Sequence, residues 1–560
     1  MTVRVLYQPP GETRILPDGS SNVVYVRHIC IGQALDEAAM RWGDDVGWVF
    51  DDERITFRQM RERSIRAASA LAALGTGRGD FVALLAPNIP EYAYLIFGAA
   101  YIGAIAIPIN TRSKNFEIRH SLIHGDAAVL VMVDSFLKQD YRRFVSEVLG
   151  EGTVSADGVV DSLVAPKLRR IVGFSSYSGS GALSFADFTA LGDGGGSEPP
   201  PAPAGQTWRD PVLLQFTSGT TALPKGALLN HCMVLNYGIS IAAGMGVCEG
   251  SAMLNTQPFY HVGGSCAALP LPLSLGCRVV YSAYYEVERV LALIERERCV
   301  ARTGFAAMYL MEMASPAFGK YDTSSIKGAW YNGPLGLVQT VQKGAGIPNF
   351  IQLYGATEGG GANGRLEDSL ESRTHSCGPA HPGTEIGIAD LETGELLPPD
   401  KPGEIMVRGW MQMNGYYKQP EETAKVMRPD GWLRMGDIGY LDKDGFLHFV
   451  GRLKNMIRVG GENVSAEEVE AVLLTHPGIK VAAAIGVPDE RLQEAVMAIV
   501  ELKPGESLDA RGVIDFCAAQ MANFRVPRHV RFVEEWPLTG SGKIQHSVLR
   551  ERFAEISGQE

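Results

Sequence analysis

The segment at residues 92–109 (YAYLIFGAAYIGAIAIPI) carries no charged side chain, and this limits the folds open to the chain. An uncharged run of about this length either crosses a bilayer or lies inside a globular domain. Pro90 and Glu91 are typical of the start of a helix, and Gly103 is typical of its end. The residues after Gly103 have the length of a short buried strand. We therefore predict a buried helix followed by a buried strand, and no membrane span.

The same alternation of helix and strand patterns continues along the first part of the chain. Residues 55–74 have the periodicity of an amphipathic helix, with Thr56 as its candidate N-cap. Residues 81–86 and 122–133 contain short apolar runs, and a second alternating pattern extends over residues 253–354. Strands that alternate with helices indicate parallel α/β sheets. We expect two α/β subdomains.

The pattern changes to short strands and turns beyond residue 384. The Asp-Gly pairs that begin at Asp430 and Asp444 are hairpin signals. After Arg452 a new set of helix and strand patterns begins. This last part is typical of a small, separate α+β domain.

Composition and charge exclude several classes of protein. The chain has 560 residues, of which 46% are apolar and 20% are charged, as in soluble globular enzymes. Its net charge of −12 argues against a general binder of nucleic acid or of anionic membranes. Eight scattered cysteines form no C-x-x-C pair, which indicates a reducing compartment. Since the N-terminal residues also lack the apolar core of a signal peptide, we expect a cytoplasmic protein.

The residues between the apolar stretch 211–216 and Gly226 combine hydroxyl groups, a glycine and a lysine. Backbone N–H groups and hydroxyls in a tight loop can surround phosphate oxygens, and Lys225 adds positive charge. The spacing excludes a Walker loop, which needs glycine at the position of Pro224 and serine or threonine at that of Gly226. We predict a phosphate-binding loop of another type, with the candidate ligands Thr217, Ser218, Gly219, Thr220, Thr221 and Lys225.

This loop resembles the phosphate-binding signature of the adenylate-forming superfamily, which includes acyl-CoA synthetases, peptide-synthetase adenylation domains and firefly luciferase. Four further blocks follow in that family's order: YGATE at 354–358, GWLRMGD at 431–437, GRLK at 451–454 and GSGK at 540–543. The similarity covers roughly residues 45–550. Five blocks in the right order are far more specific than any one of them.

The resemblance also implies the architecture of the whole chain. A large N-terminal AMP-binding domain is expected over residues 1–451, built from two α/β subdomains and a small distorted β-barrel. A smaller α+β domain is expected over residues 452–560. It is a mobile lid in this family, and we call it the small domain below.

The reaction implied by the resemblance is an AMP-forming ligation. A carboxylate attacks the α-phosphate of ATP to give an acyl-AMP and pyrophosphate, and the thiol of coenzyme A then displaces AMP. Because the carboxylate and the triphosphate are both anions, the site needs cations and oriented donors at the α-phosphate. The implied co-substrates are ATP with Mg²⁺ and coenzyme A, and the acceptor of the adenylyl group is a small-molecule carboxylic acid.

The family assigns roles in acyl-AMP formation to residues of these blocks. Lys543 is expected to bridge the carboxylate and the α-phosphate in the transition state, because its ammonium is a strongly donating point charge. Glu358 is expected to hold Mg²⁺, and Asp437 to accept from the ribose hydroxyls. The other implied nucleotide contacts are Thr357 at the α-phosphate, Tyr354 on adenine, Gly355 beside it in the chain, Gly333 and Pro334 as backbone walls of adenine, and Arg452 at the ribose or phosphate.

The family carries out both steps in one site by rotating the small domain. Lys454 occupies the hinge position. A rotation there would take Lys543 away from the site and bring Gly460 and Gly461 toward it. Glycines leave room for the thin pantetheine arm of coenzyme A beside the backbone.

The acyl pocket follows from the family segment around His261, which is expected near the substrate carboxylate. The candidate lining residues are neutral and many are small, which favours a bulky apolar acid such as a fatty, aryl or polycyclic side-chain acid. No aspartate lies between Asn255 and Arg278 to pair an amino group, so an amino acid substrate is disfavoured. The lining residues are His261, Val262, Phe305, Ala306, Tyr331, Asn332, Gly359 and Gly360.

Several alternatives stay open on the sequence alone. A fatty acyl-AMP ligase would pass its product to a carrier protein, and luciferase-like oxygenation uses the same motifs. A non-catalytic nucleotide-binding protein could share the fold, although the retention of Lys543, Glu358 and Asp437 together argues against it. The oligomeric state is open as well, with a homodimer as one option.

Four residues depart from the family's usual pattern. Ala222 stands for glycine, Met435 for threonine, Asn455 for an acidic residue and His546 for arginine. If position 222 needs a positive φ, alanine there costs about 1 kcal/mol. None of the four removes a group that the resemblance assigns to catalysis.

Overall fold

The computed structural model describes most of the chain. The described residues are 3–10, 23–150, 152–178, 181–195, 198–217, 224–331, 338–460, 462–489, 491–538 and 544–553.

The first elements alternate as the sequence pattern predicts. Thr56 caps the second helix, because its hydroxyl accepts from Gln59 N–H at 3.2 Å and Gln59 Oε1 accepts from Thr56 N–H at 3.0 Å. In chain order the elements are β1 (Arg4–Tyr7), β2 (Val23–Val26), α1 (Ile31–Trp42), β3 (Val46–Phe50), β4 (Glu53–Thr56), α2 (Phe57–Ala73), β5 (Phe81–Leu85), α3 (Pro90–Tyr101), β6 (Ile105–Pro108), α4 (Asn115–His124), β7 (Ala127–Met132), β8 (Ser135–Phe136), β9 (Gln139–Asp140), α5 (Tyr141–Leu149), β10 (Arg170–Gly173), β11 (Leu183–Ser184) and α6 (Phe185–Ala190).

The uncharged segment is the buried helix α3 followed by the buried strand β6, as predicted. Every residue of α3 from Tyr92 onward is buried. None of the described helices is both long enough and apolar enough to cross a membrane.

The second alternating pattern also forms strands and helices. In chain order they are β12 (Pro211–Phe216), β13 (Gly226–Asn230), α7 (His231–Asn236), α8 (Ile239–Gly244), β14 (Ala252–Asn255), α9 (Val262–Ser265), α10 (Pro272–Leu275), β15 (Arg278–Tyr281), α11 (Val287–Glu297), β16 (Ala301–Arg302), α12 (Ala306–Met313), β17 (Gly328–Trp330), α13 (Val338–Ala345), β18 (Phe350–Ile351), β19 (Leu353–Gly355), β20 (Gly360–Asn363) and α14 (Leu370–His375).

The chain then enters short strands and the small domain. These elements are β21 (Thr384–Ala389), β22 (Gly403–Gly409), β23 (Gly415–Tyr416), α15 (Pro420–Val426), β24 (Leu433–Leu441), β25 (Leu447–Arg452), β26 (Met456–Val459), β27 (Glu462–Ser465), α16 (Ala466–Leu473), β28 (Ile479–Asp489), β29 (Gln493–Leu502), α17 (Ala510–Ala518), β30 (His529–Phe532) and α18 (His546–Phe553).

Two mixed sheets form most of the large domain. The first has the order β11-β10-β7-β5-β6-β12-β13-β23, and the second has the order β18-β17-β16-β14-β15-β3-β4. Neighbouring strands are parallel except in the pairs β12–β13, β13–β23 and β3–β4. Helix α3 and residues of both sheets contribute to one apolar core. The prediction of two α/β subdomains is therefore confirmed.

A four-stranded antiparallel sheet stands where a distorted β-barrel was predicted. Its order is β21-β22-β24-β25. Within the described ranges its edge strands β21 and β25 do not pair with each other, so the sheet is open and the prediction of a barrel is corrected. A closed barrel needs its first and last strands to pair, and four strands are too few to enclose a core.

The small domain is an α+β unit, as predicted. Its sheet has the order β27-β26-β29-β28, with β30 paired to β29. Along β28 the side chains alternate between two cores: Ala482 and Ala484 share one core with residues of α16 and α17, and Ala483 shares the other with residues of α18. The boundary at residues 451 and 452 stays a prediction; β25 ends at Arg452 and β26 begins at Met456.

Candidate active site

The candidate phosphate loop lies between β12 and β13. Its two ends are joined, because Thr217 N–H donates to Lys225 O at 2.9 Å. His120 Nε2 lies 2.8 Å from Pro224 O and ties the returning end to α4. Residues 218–223 lie outside the described residues, so the ligands Ser218, Gly219, Thr220 and Thr221, together with the departure Ala222, stay predictions.

A tyrosine connects Lys225 of this loop with Glu358. Lys225 Nζ lies 5.0 Å from the centre of the Tyr416 ring and forms an ion pair with Glu422. The Tyr416 O–H donates to Glu358 Oε1 at 2.9 Å. Hydrogen bonds from Lys225 and Lys425 lower the pKa of Glu422 to about 2. The Glu358 carboxylate is therefore oriented by Tyr416, the same residue whose ring lies beside Lys225.

Sequence reasoning missed Tyr416, because its position depends on a distant strand pairing. Tyr416 in β23 pairs with Ala227 of β13, just after the phosphate loop. The same segment also holds the backbone of Glu358, since Met413 N–H donates to Glu358 O at 2.8 Å. Burial raises the pKa of the Tyr416 phenol, and the nearby Glu358 carboxylate adds to this rise, so the phenol stays a hydrogen-bond donor.

The structure brings Tyr354, Asp437 and Arg452 together from three separate blocks. Asp437 in β24 lies opposite Arg452 in β25, and the Arg452 Nε lies 3.0 Å from Asp437 Oδ1. The Tyr354 O–H donates to Asp437 Oδ2 at 2.7 Å. Burial raises the pKa of Asp437, and the charge of Arg452 opposes this rise.

One oxygen of this buried carboxylate is left open. Asp437 Oδ1 accepts no hydrogen bond from the described part of the chain, because the Arg452 contact lacks hydrogen-bond geometry. A buried acceptor without a donor is unfavourable unless a bound molecule supplies one. The arrangement is suited to accept a hydroxyl group of a ligand at Oδ1, while Tyr354 fixes the other oxygen.

A tight hairpin between β19 and β20 carries Thr357 and Glu358, both half-buried. Ala356 N–H donates to Gly359 O at 2.7 Å and closes the turn. Gly360 has a φ of +144°, and a Cβ there would lie 2.4 Å from Gly355 Cα. The glycines that follow Glu358 therefore permit the close approach of the two strands, and no larger side chain fits at Gly360.

Five of the candidate acyl-pocket residues follow the carboxyl ends of neighbouring parallel strands: His261, Val262, Phe305, Ala306 and Tyr331. Strands β14, β16 and β17 are adjacent in the second sheet, and Thr256 N–H after β14 donates to Thr303 Oγ1 after β16 at 2.8 Å. His261 caps α9, where its Nδ1 accepts from Gly263 N–H at 3.1 Å. Ligands in such sheets bind outside the carboxyl ends of the strands.

The remaining pocket candidates differ in their exposure. Val262, Ala306 and Gly359 are buried, and Phe305 is half-buried. Tyr331 is fully buried, and its ring packs against Phe350 in the core of the second subdomain. Asn332, Gly333 and Pro334 lie outside the described residues and stay predictions.

The predicted hinge residue Lys454 lies in a short turn between β25 and β26. Burial lowers the pKa of Lys454, and the nearby charge of Arg452 adds to this effect. Gly460 has a φ of +60° and follows β26. Gly461 and Lys543 lie outside the described residues, so their roles stay predictions.

The residues present fit Mg²⁺ that arrives with a nucleotide. The described residues contain no group of three or more histidine, cysteine or acidic side chains that could hold a metal ion by themselves. Mg²⁺ usually keeps several waters and binds one or two carboxylates plus substrate phosphates. The single carboxylate of Glu358, oriented by Tyr416, is such a ligand.

Comparison with protein families gives two matches that together cover most of the chain. Residues 35–417 match the family model of the AMP-binding enzymes, and residues 468–543 match the model of the AMP-binding enzyme C-terminal domain.

Individual relatives and a solved structure agree with these matches. A putative acyl-CoA synthetase, YngI of Bacillus subtilis, is 31% identical over 537 residues, which cover 94% of this chain and 98% of the relative. The mitochondrial medium-chain acyl-CoA ligase ACSF2 of Mus musculus is 32% identical over 542 residues, covering 94% of this chain and 88% of the relative. The crystal structure of the anthranilate CoA ligase AuaEII with anthranoyl-AMP superposes with a TM-score of 0.81 at 26% identity, covering 95% of this chain and 98% of that chain.

These matches extend over both the large and the small domain, and they include three of the five blocks on which the resemblance rests, at residues 217–226, 354–358 and 540–543. The substrates of such an enzyme are a carboxylic acid, ATP with Mg²⁺, and coenzyme A. The chain therefore belongs to the AMP-binding enzyme family, as an AMP-forming acid–CoA ligase of the adenylate-forming, acyl-CoA synthetase type.

Proposed function

We propose that this enzyme activates a carboxylic acid with an apolar tail, and that medium-chain fatty acids are its best substrates. The observation that carries this proposal is the lack of charge in the segments around the candidate pocket. Residues 256–263, 303–309 and 359–363 contain no lysine, arginine, aspartate or glutamate. An uncharged lining binds an apolar chain and offers no partner to a second charge on the substrate.

Two charges that flank these segments, Arg302 and Glu312, neutralise each other. Arg302, at the end of β16, makes two hydrogen bonds of 2.7 Å to the carboxylate of Glu312 in α12. Both side chains are buried. Neither charge is therefore available to a dicarboxylate or to an amino acid, which agrees with the name of the ACSF2 relatives, medium-chain acyl-CoA ligases.

The roles of the nucleotide-binding residues belong to the same proposal. The open oxygen of Asp437 accepts a ribose hydroxyl, and Tyr354 and Arg452 hold the carboxylate in place for it. The loop from Thr217 to Lys225 and the hydroxyl of Thr357 donate to the phosphates. Glu358 holds Mg²⁺, which when bound supplies positive charge against the triphosphate.

The two half-reactions divide the remaining roles. Lys543 stabilises the charge that develops between carboxylate and α-phosphate, and His261 lies at the mouth of the acyl pocket. A rotation of the small domain at Lys454 takes Lys543 out of the site and brings Gly460 and Gly461 into it. The pantetheine arm of coenzyme A then passes beside these two glycines. These assignments follow the family's motifs residue by residue.

The test is pyrophosphate release with ATP and Mg²⁺ over a panel of carboxylic acids, each with and without coenzyme A. We expect sustained turnover with coenzyme A for medium-chain fatty acids, and much slower turnover for succinate and for amino acids. If only aryl acids are turned over, the proposal of a fatty acid substrate is wrong and an aryl acid takes its place. Release limited to about one equivalent and unchanged by coenzyme A would indicate a carrier protein as the acceptor, since the trapped acyl-AMP holds the site.

Tyr416→Phe is expected to raise the Mg²⁺ concentration for half-maximal acyl-AMP formation by about tenfold, because outer partners of metal ligands have effects of this size. The change removes the O–H that donates to Glu358 and little else. The matched control is Tyr417→Phe, which removes the neighbouring phenol that donates to Asp126. If both variants need the same Mg²⁺ concentration for half-maximal acyl-AMP formation, Tyr416 has no role in Mg²⁺ binding.

Lys454→Pro is expected to slow thioester formation from synthetic acyl-AMP and coenzyme A at least about tenfold more than it slows acyl-AMP formation. Proline fixes φ, so the turn between β25 and β26 can no longer take up the backbone change of a rotation. Lys454→Ala, which removes the charge and leaves the backbone free, is the control. Equal losses in the two half-reactions would argue against a hinge at this position.

A further inference from the structure

The described residues on either side of 539–543, the range that includes Lys543, contact each other. Leu538 and Ile544 form an antiparallel bridge across residues 539–543, and Gln545 N–H donates to Pro537 O at 2.8 Å. Helix α18 begins one residue later, at His546. The backbone that leads out of Lys543 therefore passes directly into the first turn of α18.

That first turn is fixed by an ion pair between His546 and Glu470. His546 Nε2 lies 2.6 Å from Glu470 Oε1, and the two side chains are 15% and 17% exposed. The same carboxylate oxygen accepts from Ala484 N–H at 2.9 Å. Ala484 belongs to β28, which is an edge strand of the small-domain sheet. Glu470 thus joins α16 and α18, which cover opposite faces of the sheet, around its open edge.

The later part of α18 is fixed at the hinge. Arg550 Nη1 donates to Lys454 O at 2.9 Å, and Arg550 Nη2 donates to Asn455 Oδ1 at 3.1 Å. Asn455 Nδ2 in turn donates to Glu467 Oε1 of α16 at 2.9 Å. One short helix therefore contacts the hinge turn through Arg550 and begins three residues after Lys543 in the chain.

Two departures from the family pattern lie at these two contacts. Asn455 replaces an acidic residue and bonds to Arg550, and His546 replaces an arginine and bonds to Glu470. Asn455 lacks the negative charge of an acidic residue. His546 has, in place of the permanent charge of arginine, a charge that depends on protonation, because histidine titrates near neutral pH.

We propose that His546 is a positioning residue for acyl-AMP formation: its ion pair with Glu470 holds the first turn of α18, and thereby the backbone from which Lys543 reaches the substrate. This inference rests on the proposed role of Lys543. It concerns the first half-reaction alone, because the proposed rotation removes Lys543 from the site before the thiol attacks.

The pair is expected to hold α18 best where His546 is protonated and Glu470 is ionised. Burial raises the pKa of Glu470, so protonation of this carboxylate ends the ion pair at more acidic pH. Burial lowers the pKa of His546, and the hydrogen bond and charge of Glu470 more than offset this, so the net shift is upward. Glu467 on α16 favours the protonated ring as well, and Arg550 on α18 opposes it. A group with a raised pKa contributes stability that is complete below its ordinary pKa and is lost as pH rises through the raised value. Acyl-AMP formation should therefore lose this support on the alkaline side.

The test compares His546→Gln and His546→Arg with the wild type in the two half-reactions, between about pH 6 and pH 9. We expect His546→Gln to slow acyl-AMP formation roughly ten- to hundredfold, the range that follows from a shift of about 1 Å in a catalytic group. Thioester formation from synthetic acyl-AMP should stay within about twofold, since Lys543 takes no part in it. His546→Arg should restore acyl-AMP formation and abolish the alkaline decline attributed to His546.

The control is His448→Gln, which breaks a comparable pair with Asp442 at 3.0 Å in the large domain. It should leave both half-reactions and their pH profiles unchanged. Equal losses of both half-reactions in His546→Gln, or identical alkaline profiles of wild type and His546→Arg, would overturn the proposal, because a merely structural contact gives those results.

Hydrogen exchange of residues 544–553 separates this proposal from the proposed function. We expect faster exchange in His546→Gln than in the wild type, and wild-type protection in His546→Arg. Unchanged exchange in His546→Gln would overturn the anchoring role whatever the activity. If the wild type releases no pyrophosphate with any acid, the proposed function fails, and the exchange result still decides whether His546 anchors α18.

Discussion

Lys543→Ala is expected to lower the rate of acyl-AMP formation by at least about 10²-fold, the loss typical of removing one preorganised donor at a developing charge. The carboxylate and the α-phosphate are both anionic, so their approach depends on a cation between them. The other proposed contacts to ATP belong to the large domain, apart from Arg452 at the end of β25, so the Kd of ATP should change little. Single-turnover release of pyrophosphate measures the first quantity, and a binding titration measures the second.

The same variant should make thioester from synthetic acyl-AMP at nearly the wild-type rate. Lys480→Ala is the matched control, because Lys480 is a lysine of the small domain that pairs with Glu501 on the surface. It should leave both half-reactions unchanged. An active Lys543→Ala preparation with an unaltered first half-reaction would show that the transition-state charge is met by another group.

Local patterns were sufficient to predict the elements but not their order in the sheets. The uncharged segment became α3 and β6, since its length and its flanking proline and glycine mark a helix and a strand. Strand β3 pairs with β15, where Trp48 lies beside Val279, more than half the large domain away in sequence. Such pairings depend on the packing of complete sheets, and no local signal announces them.

In the candidate site, too, the sequence predicts individual residues, and their contacts depend on the assembled sheets. Tyr354, Asp437 and Arg452 each belong to a block that can be recognised in the sequence. Their contacts depend on the structure: the register of β24 and β25 places Asp437 opposite Arg452, and the Tyr354 phenol donates to Asp437. Tyr416 and Glu422 belong to no block that was recognised. They contact Glu358 and Lys225 only because β23 adds to the edge of the first sheet beside β13.

The contacts of the residues that depart from the family pattern can be identified only in the structure. In the sequence, Asn455 and His546 are isolated differences separated by most of the small domain. In the structure Asn455 contacts α18 and His546 begins it. Both residues bond to acidic side chains of α16. Met435 is partly buried among apolar residues of the four-stranded sheet, where a methionine packs without a polar partner.

Asp437→Asn is expected to raise the KM for ATP by one to two orders of magnitude, because a hydrogen bond to a charged group contributes roughly 1.5–3 kcal/mol. The change keeps the shape of the side chain and replaces a carboxylate oxygen that a ribose hydroxyl can donate to. It also leaves Arg452 without its ion pair. The stability of the fold should fall less than the affinity for ATP, since burial already raises the pKa of Asp437 and thus disfavours its charge.

The nucleotide itself supplies the decisive comparison for this variant. Wild-type enzyme should prefer ATP to 2′-deoxy-ATP and 3′-deoxy-ATP, and Asp437→Asn should lose most of that preference, because the hydroxyl and its acceptor form one interaction. Asp442→Asn is the control and should keep the wild-type preference, because Asp442 follows the same strand and pairs with His448. A variant at Asp437 that still discriminates against both deoxynucleotides would place the ribose elsewhere, and the open oxygen of Asp437 would then need another donor.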